Sequence, residues 1–525
     1  MTVPPEQTEA VEFLLKLAGS APVETHISLV FVGSDTVWKL KKAVRLAFLD
    51  FTTVEARQRF ILRELELNRP AAPGLYQDVV PLLRGPDGAL VLGDTADNEL
   101  PVVDWVLRMA RVPAEDFLDA IAAAGGLTPE LLDALGDAVA EYHQGLLPPS
   151  KPSLAVRASG HATGSTAPFR AQRGRVGEEA GATAAMRHVT LGNARSALDA
   201  GLSAKAVQDW QAHLLAALEH IAPWLEERSH SGFIRRAHGD LHLGNLCLWH
   251  GKPVPFDALE FDEAMATIDL GYDLAFLLMD LDQRVARAAA NRVLNRYVAR
   301  TGDAALTHGL PVFLSLRAMI RAHVEARRGN AEPAARYLAA TERYLQPPPP
   351  VALAIGGLPG TGKSTLARAL APELGGAPGA LVLRSDEIRK HQHGAAPEQR
   401  LPQSAYSDEA SEAVFAALAD MVRTTAAGGQ AVIADATFID QHHRRMIEAA
   451  AQTAGVRFVG LWLEAPLPIL EARIAGREND ASDATVAVLR AAGRKNPQAG
   501  NWVTVDASEA GTALGQARAA LGRCS

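Results

Sequence analysis

The sequence predicts two joined domains of different fold class: an α+β domain with a small β lobe and a large α lobe, then an α/β domain with a doubly wound parallel sheet. The segment Gln346 to Pro350 reads QPPPP, which can neither continue a helix nor supply backbone donors to a sheet, so it predicts a linker. After it, apolar strands alternate with helical segments, as in a parallel sheet covered on both faces. Before it, strand signals come first and helical sequence follows. We therefore expect domains at 1–345 and 351–525, joined by 346–350.

Composition limits the class of protein. A chain of 525 residues is too long for one ordinary core, and 48% hydrophobic with 21% charged residues is typical of a globular protein. The net charge of -8 argues against a general nucleic-acid or membrane-surface binder. Two cysteines are too few for a disulfide framework or a thiolate zinc site. With no signal-peptide pattern and no apolar run of about 18 residues, we expect a cytoplasmic protein without membrane contact. The oligomeric state is not indicated.

In the first domain, THISLVFV and TVWKLKK flank a Gly-Ser-Asp turn and predict an antiparallel hairpin. A helix is expected at about Val54 to Asn68, with short strands near Val79 to Leu83 and Ala89 to Leu92. Mainly helical sequence begins at Asp116. These signals place the β lobe at about 1–105 and the α lobe at about 106–345. Between about 150 and 204 the sequence is rich in Ala, Gly, Ser and Arg with weak periodicity, which fits a surface insertion or loosely packed helices.

In the second domain, VALAIGG predicts a buried strand, a glycine-rich loop follows, and TLARALAPEL predicts a helix. Further apolar strands are expected at Ala380 to Leu383, Ala431 to Ala434 and Val456 to Leu463. Their separation by helical segments supports the parallel sheet.

The first candidate site is the loop HGDLHLGN, from His238 to Asn245, with Asp257 downstream at the end of a predicted strand. This pattern suits phosphoryl transfer. One carboxylate orients the attacking hydroxyl, while an amide oxygen and a second carboxylate hold Mg²⁺ against phosphates.

These residues resemble the aminoglycoside phosphotransferase family, a branch of the protein-kinase-like fold, over about residues 25 to 330. The resemblance implies that Asp240 is the catalytic aspartate and that Asn245 and Asp257 are magnesium ligands, with His238 supporting the loop. It also places an ATP-binding lysine on the hairpin, where Lys39 and Lys41 alternate onto one face. Of the two we favour Lys39.

The partner of this lysine is expected on the following helix, as Glu64 or, in competition, Glu66. The segment PVVDWVLRM, residues 101–109, resembles the hinge between lobes against which adenine packs. Outside the site, Asp273 is expected to brace a helix near the catalytic loop. Arg317, Arg321 and Glu325 share a helix face at i, i+4 spacing that predicts an exposed, salt-linked surface rather than a substrate cleft.

The second candidate site is the pattern GxxxxGK[ST] between a buried strand and a helix. Its glycines let backbone amides surround phosphate oxygens, the lysine reaches the β- and γ-phosphates of ATP, and the serine is a magnesium ligand. The residues predicted to hold nucleotide are Gly357, Leu358, Pro359, Gly360, Thr361, Gly362, Lys363, Ser364 and Thr365.

Two later strands end in acids, Asp386 and Asp435, which should face the nucleotide beyond the carboxyl edge of the sheet. A later helix places Arg473 and Arg477 at i, i+4 spacing, as in a lid that closes over the transferring phosphate. A helix N-cap remains an alternative for Asp386, and a surface role remains one for both arginines.

GLPGTGKST, SDEIR, DATF, WLEAP and RIAGR resemble the small P-loop kinases, the group with gluconate kinase, adenylylsulfate kinase and zeta toxins, over about residues 351 to 520. The resemblance implies that Asp386 is a base or a ligand of magnesium-bound water, and that Arg473 and Arg477 belong to the lid. Asp435 is the alternative to Asp386 as the carboxylate that orients metal-bound water. We refer below to residues 1–345 as the kinase-like half and to 351–525 as the P-loop half.

Together the two halves resemble bacterial proteins described as fused aminoglycoside phosphotransferase and ATP-binding protein. The leading hypothesis is a bifunctional kinase that uses ATP and Mg²⁺ to phosphorylate small hydroxylated acceptors, with no nucleic-acid partner. The alternative is a regulatory protein whose P-loop half binds or hydrolyses ATP to gate the other half. A third interpretation makes one half a decayed structural domain.

Overall fold

The computed structural model describes residues 3–46, 49–93, 100–146, 181–476, 481–495 and 498–523. The β lobe is a six-stranded antiparallel sheet in the order β1-β2-β3-β8-β6-β7, with one helix against each face and a separate small hairpin. Its elements are α1 (Thr8–Ala18), β1 (Val23–Glu24), β2 (Ser28–Val32), β3 (Thr36–Lys41), β4 (Arg45–Leu46), β5 (Leu49–Asp50), α2 (Val54–Asn68), β6 (Tyr76–Arg84), β7 (Leu90–Leu92) and β8 (Val102–Ala110).

Side chains along each strand alternate between the two faces of the sheet, so each packs against either α1 or α2. Leu40 on β3 packs with α1, whereas Leu107 on β8 packs with α2. The segment 101–109, expected to be the hinge, lies in strand β8 apart from Pro101, in the middle of the sheet between β3 and β6. The expectation was wrong because the apolar residues here pack on both faces of the lobe, as in an interior strand.

The α lobe surrounds the predicted catalytic loop with helices. Its elements are α3 (Leu118–Ala123), α4 (Pro129–Gly145), α5 (Ala182–Asp199), α6 (Ala204–His230), β9 (Ile234–Arg236), β10 (Leu246–Trp249), β11 (Lys252–Pro255), α7 (Glu263–Ala266), β12 (Thr267–Asp269), α8 (Leu270–Arg284), α9 (Arg287–Thr301), α10 (Leu310–Arg327) and α11 (Ala331–Leu345). Part of the ambiguous region 150–204 is therefore the helix α5, which buries Met186 and Ala194 in the main core. Residues 150–180 lie outside the described residues.

Arg228, at the end of α6, is a buried cation that ties three segments of the α lobe together. Its Nε lies 2.7 Å from Asp269 Oδ2, and its Nη1 lies 2.8 Å from Asp303 Oδ1. All three side chains are almost fully buried. Removing one member of such a group leaves uncompensated charge in the interior.

We expect Arg228→Met to lower the free energy of unfolding of the kinase-like half by about 3–5 kcal/mol, because two buried carboxylates lose their shared cation. Thermal unfolding monitored by fluorescence would show a lowered midpoint. Lys205→Met is the control, since Lys205 pairs with Asp209 on the exposed surface and contributes little. Equal midpoints for both variants would contradict the expectation.

The P-loop half is a five-stranded parallel sheet in the order β14-β15-β13-β16-β17. Its elements are β13 (Val351–Gly357), α12 (Lys363–Leu370), β14 (Leu381–Arg384), α13 (Ser385–Gln392), α14 (Asp408–Ala427), β15 (Val432–Asp435), α15 (Gln441–Thr453), β16 (Arg457–Glu464), α16 (Leu467–Ala475), α17 (Val486–Arg494), β17 (Val503–Asp506) and α18 (Ala510–Arg523).

Both faces of this sheet are covered by helices. Leu353 and Ile355 pack with α12 and α18, whereas their neighbours Ala352 and Ala354 pack on the opposite side with α14 and α15. The fold class predicted from the sequence is therefore confirmed for both halves. Within the described ranges, no helix is long and apolar enough to cross a membrane.

Candidate active sites

The loop that carries Asp240 follows β9 and is braced from below by Asp273, a fully buried residue of α8. The Asp273 carboxylate accepts hydrogen bonds from the backbone N–H of His238 at 3.0 Å and of Gly239 at 2.9 Å. It also lies 3.2 Å from Nε2 of His143. Burial alone would raise the pKa of Asp273, but His143 and its other partners lower it below its ordinary value. Asp273 thus supports the loop as a carboxylate.

Arg317 supports the same loop, contrary to the expectation of an exposed ion-paired surface. Its Nη1 donates to the carbonyl oxygen of Gly239 at 3.1 Å, and its Nε donates to the carbonyl oxygen of Tyr272 at 3.1 Å. The side chain is only 4% exposed. The i, i+4 ion pair does exist between Arg321 and Glu325, but Arg317 lies one turn nearer the catalytic loop and turns inward.

Asp240 and Asn245 meet inside the loop. The Asn245 Nδ2 group donates to Asp240 Oδ2 and to the Asp240 carbonyl oxygen, both at 2.9 Å. The Asp240 side chain is 43% exposed, and His242 Nε2 lies 3.5 Å from its Oδ2. Burial would raise the pKa of Asp240, but His242, His238 and Arg317 together hold it well below its usual range. The result is an accessible carboxylate that stays ionised.

Asp257 follows β11 in a left-handed backbone conformation, with φ of 61°. Two side chains of the β lobe hold it there: its N–H donates to the Tyr76 hydroxyl at 2.9 Å, and the N–H of Ala258 donates to Asn68 Oδ1 at 2.8 Å. Such a strained residue persists only where its surroundings fix it, and it is often found at functional sites.

Lys39 connects the two lobes at this point. Its Nζ lies 2.6 Å from Glu64 Oε1 and 2.6 Å from Asp257 Oδ1. Burial alone would lower the pKa of Lys39, but Asp257 and Glu64 raise it well above its ordinary value, so the ammonium is retained. The same ammonium lowers the pKa of Asp257 against the effect of burial.

Lys41 and Glu66, the alternatives to Lys39 and Glu64, have different partners. Lys41 also pairs with Glu64, with Nζ 2.6 Å from Oε2, but its second partner is Glu260 and not Asp257. Glu66 is exposed and pairs with Arg63, away from Lys39. Of the sequence-predicted combinations, the structure brings together Lys39, Glu64 and Asp257.

In the P-loop half, the segment that joins β13 to α12 has no room for a side chain at two of its glycines, Gly357 and Gly360. A Cβ on Gly357 would lie 2.6 Å from the carbonyl oxygen of Leu463, and one on Gly360 would lie 2.8 Å from that of Leu470. Both glycines have positive φ, at 137° and 88°. The N-cap residue of α12 is Gly362, which has no side chain to cap the helix, so the first N–H groups and the positive dipole end of α12 face the cleft, as in an anion site.

Lys363 and Ser364 begin this helix. The Lys363 Nζ donates to the carbonyl oxygens of Gly357 at 3.0 Å and Leu358 at 3.1 Å, so the side chain folds back over the loop. The Ser364 hydroxyl donates to Asp435 Oδ2 at 2.5 Å. The strand end of β15 is thereby joined to the start of α12, with two oxygen donors placed together for a hard cation.

These groups line a cleft of about 860 Å³ beyond the carboxyl edge of the sheet. Its acidic wall is Asp386, at the second position of α13. Burial raises the pKa of Asp386, opposed by Arg384 and a hydrogen bond with Ser482. The N-cap residue of α13 is Arg384, whose side chain makes no capping hydrogen bond, so Asp386 is not the N-cap. The other lining residues include Pro359, Gly362, Thr365, Arg389, Arg400, Tyr406 and Arg473.

Arg473 lies at the opposite side of the cleft, on α16. Its Nη1 donates to the carbonyl oxygen of Ala507 at 2.8 Å and its Nη2 to that of Ser508 at 2.7 Å, next to Gly360 of the phosphate loop. Arg477 lies outside the described residues.

Sequence reasoning missed Arg384, the last residue of β14. Its Nε lies 3.3 Å from Asp435 Oδ2, and its Nη1 donates to Glu387 Oε1 at 3.1 Å. The side chain is 8% exposed. The available signal was its position at a strand end, directly before the acidic turn SDE, where side chains face the ligand edge of a parallel sheet.

The fold and the two sites together define a chain that joins a bilobal domain of kinase-like fold to a P-loop domain built on a parallel sheet. A family model described as an AAA domain matches residues 353–495. The uncharacterized protein Rv2004c of Mycobacterium tuberculosis is 29% identical to this chain over 481 residues, which covers 89% of this chain and 88% of the relative.

Solved structures resemble each half separately. A gluconokinase from Sinorhizobium meliloti 1021 is 18% identical and covers 33% of this chain and 93% of its own, with a TM-score of 0.25. A GDP and kanamycin complex of APH(2")-IIia is 12% identical and covers 64% of this chain and 98% of its own, with a TM-score of 0.35. A choline kinase from Cryptosporidium parvum Iowa II is 9% identical and covers 62% of this chain and 88% of its own, with a TM-score of 0.37.

Proposed function

We propose that the chain is a bifunctional ATP-dependent phosphotransferase, in which each half transfers the γ-phosphate of ATP to a hydroxyl of a small molecule such as a sugar, a sugar acid or an aminoglycoside-like compound. The observation that carries the proposal is the position of Lys39 between Glu64 and Asp257, residues that are 25 and 218 positions away in the sequence. A cation held by two carboxylates next to an accessible aspartate is the arrangement that phosphoryl transfer needs.

In the kinase-like half, Glu64 keeps the Lys39 ammonium in place to bind phosphate oxygens of ATP. Asn245 and Asp257 supply amide and carboxylate oxygens that fit Mg²⁺, an ion that neutralises phosphate charge when bound. Asp240 accepts a hydrogen bond from the acceptor hydroxyl and so directs one oxygen lone pair toward phosphorus. Because its pKa is low, Asp240 contributes mainly by orientation, and its carboxylate takes the hydroxyl proton late in the transfer, when the bond from oxygen to phosphorus is nearly formed and ADP is leaving.

In the P-loop half, the backbone N–H groups of Leu358 and of residues 360–365, together with the Lys363 ammonium, surround the β- and γ-phosphates. Ser364 and Asp435 fit Mg²⁺ as its oxygen donors. Asp386, with a pKa raised by burial, is the base that removes the acceptor proton. Arg473, with Arg477 as the second lid arginine, neutralises charge on the phosphates when the cleft closes.

An acceptor screen tests the proposal. The purified protein is incubated with Mg²⁺, ATP and a panel of sugars, sugar acids, aminoglycosides and nucleosides, and ADP release and acceptor mass are measured. We expect at least one acceptor to gain the mass of one phosphate in proportion to the ADP released. ADP release that no acceptor changes, with no acceptor phosphorylated, would refute the proposal and favour the alternative, a regulatory ATPase.

The two halves should also differ in their acid pH limits. A carboxylate is active when deprotonated, so its activity is lost as the pH falls through the pKa of the folded state. The pKa of Asp386 is raised and that of Asp240 is lowered, so we expect the P-loop activity to fall at a higher pH than the kinase-like activity. Profiles of kcat against pH for Asp240→Asn and Lys363→Ala, which isolate one activity each, measure this order. The reverse order would contradict the assignment of bases.

A further inference from the structure

The strand that ends at the P-loop cleft lies at the edge of its sheet. Among the strands of the described residues, β14 pairs only with β15, and no strand of that part of the chain lies along its other side. Because backbone groups alternate along a strand, the N–H of Leu381 points inward, donating to the Ala431 carbonyl oxygen at 2.9 Å. The carbonyl oxygen of Ala380 and the N–H of Val382 therefore point outward, where a further strand would pair.

Helix α9 of the kinase-like half occupies that position. The Asn291 Nδ2 group donates to the carbonyl oxygen of Ala380 at 3.0 Å, and the Asn295 Oδ1 atom accepts the N–H of Val382 at 2.7 Å. One turn earlier, Arg287 Nη2 donates to the carbonyl oxygens of Gly375 and Gly376 at 2.6 and 2.9 Å. Residues 287, 291 and 295 lie on one face of α9, so a single helix face replaces the missing strand.

The contact between α9 and the segment leading into β14 is so close that it restricts which residues fit on either of the two elements. A Cβ on Gly379 would lie 2.8 Å from the Asn291 Nδ2 atom and 2.4 Å from the carbonyl oxygen of Ala371. Beside the polar residues 287, 291 and 295, Leu294 and Val298 of α9 belong to the same buried apolar cluster as Leu383 of β14. The helix and the strand therefore pack as parts of one core.

The end of β14 forms part of the wall of the P-loop cleft. Its last residue, Arg384, contacts Asp435, and Asp386 follows two residues later at the start of α13. The position of these side chains depends on where β14 lies against the sheet. A displacement of about 1 Å of a reacting group can reduce a rate by about two orders of magnitude.

We propose that Asn291 and Asn295 of the kinase-like half are positioning residues for the P-loop site, because they hold β14 so that Arg384 and Asp386 face the phosphate loop. The kinase-like half thus completes the P-loop active site structurally, whatever its own activity. This inference rests on the proposed function only in assigning Asp386 to the chemistry. The hydrogen bonds from α9 to β14 do not depend on that assignment.

The test uses the full chain with two variants at one position and one control. Asn295→Leu removes the acceptor of the Val382 N–H, whereas Asn295→Asp keeps an acceptor there and loses only the donation from Asn295 Nδ2 to the Ala380 carbonyl oxygen at 3.3 Å and to Asn291. Arg292→Leu is the control, because Arg292 lies on the same helix but pairs with Asp133 inside the kinase-like half. Amide hydrogen exchange of peptides covering residues 380–386 is measured with and without Mg²⁺ and ADP, together with kcat and the KM for ATP of the Lys363-dependent reaction.

For Asn295→Leu we expect the amide of Val382 to exchange at least about tenfold faster, and ADP to give residues 384–386 no added protection. We also expect kcat to fall at least about tenfold, while the KM for ATP changes less than twofold. Arg292→Leu should resemble the wild type, and Asn295→Asp, which keeps the acceptor of the Val382 N–H, should show slower exchange at Val382 than Asn295→Leu. Unchanged exchange in Asn295→Leu, or faster exchange with unchanged kcat, would overturn the inference. If the wild type itself turns over no ATP with any acceptor, the proposed function fails, and the exchange data alone decide whether Asn295 positions β14.

Discussion

Replacing Lys363 with alanine is expected to lower kcat/KM of the P-loop half at least about 10²-fold, with weaker binding of ADP. The ammonium lies at the mouth of the loop, 3.0 Å from the Gly357 carbonyl oxygen, where it can turn toward a phosphate. Preorganised cations and N–H donors at developing phosphate charge contribute effects of this size when one is removed. Steady-state kinetics with the acceptor found by screening, and ADP titration calorimetry, measure both changes.

The matched control for this substitution is Arg518→Ala. Arg518 is a cation of the same half, but its ion pair with Glu373 is on the exposed surface. The Asp240-dependent activity should stay within about twofold of the wild type in both variants. If Lys363→Ala reduced both activities by the same factor, the two-kinase proposal would give way to the regulatory alternative, in which nucleotide at the P-loop gates the other half.

The sequence predicted those features of the sites that depend on local order. The phosphate loop is contiguous, so its pattern alone indicated a strand, a turn and a helix, and the structure places β13 and α12 there. The loop with Asp240 and Asn245 is likewise contiguous, and its internal hydrogen bonds follow from five residues of spacing. Local order also predicted α2, from Val54 to Asn68.

Features that depend on packing between residues far apart in the chain could not be predicted from the sequence. The segment 101–109 has the composition of either a strand or a connection, and only the places of β3 and β6 decide between them. Arg317 has the spacing of a surface residue, yet the carbonyl oxygen of Gly239 requires a donor at that place. The contact of Asn295 with Val382 joins two halves across 87 positions, and no periodicity in either segment indicates it.

Replacing Asp240 with asparagine is expected to reduce kcat of the kinase-like half about 10³-fold and to leave the KM for ATP within about twofold. Asparagine has nearly the same shape, and the groups proposed to hold the nucleotide, Lys39, Asn245 and Asp257, are unchanged. What disappears is the negative charge that accepts the hydroxyl hydrogen bond, an effect worth about 10²–10⁴ in rate for a positioned base. Kinetics with the Asp240-dependent acceptor measure the split between kcat and KM.

Asp209→Asn is the control for this change, since Asp209 is an exposed carboxylate paired with Lys205 on α6. The low pKa of Asp240 sharpens the expectation: because His242, His238 and Arg317 outweigh the effect of burial, the carboxylate is ionised across the neutral range, so the wild type should show no acid limb near neutral pH from this residue. Asparagine does not ionise, so raising the pH cannot supply the missing carboxylate in the variant. A loss below about tenfold, or one recovered at high pH, would show that Asp240 is not the residue that orients the acceptor.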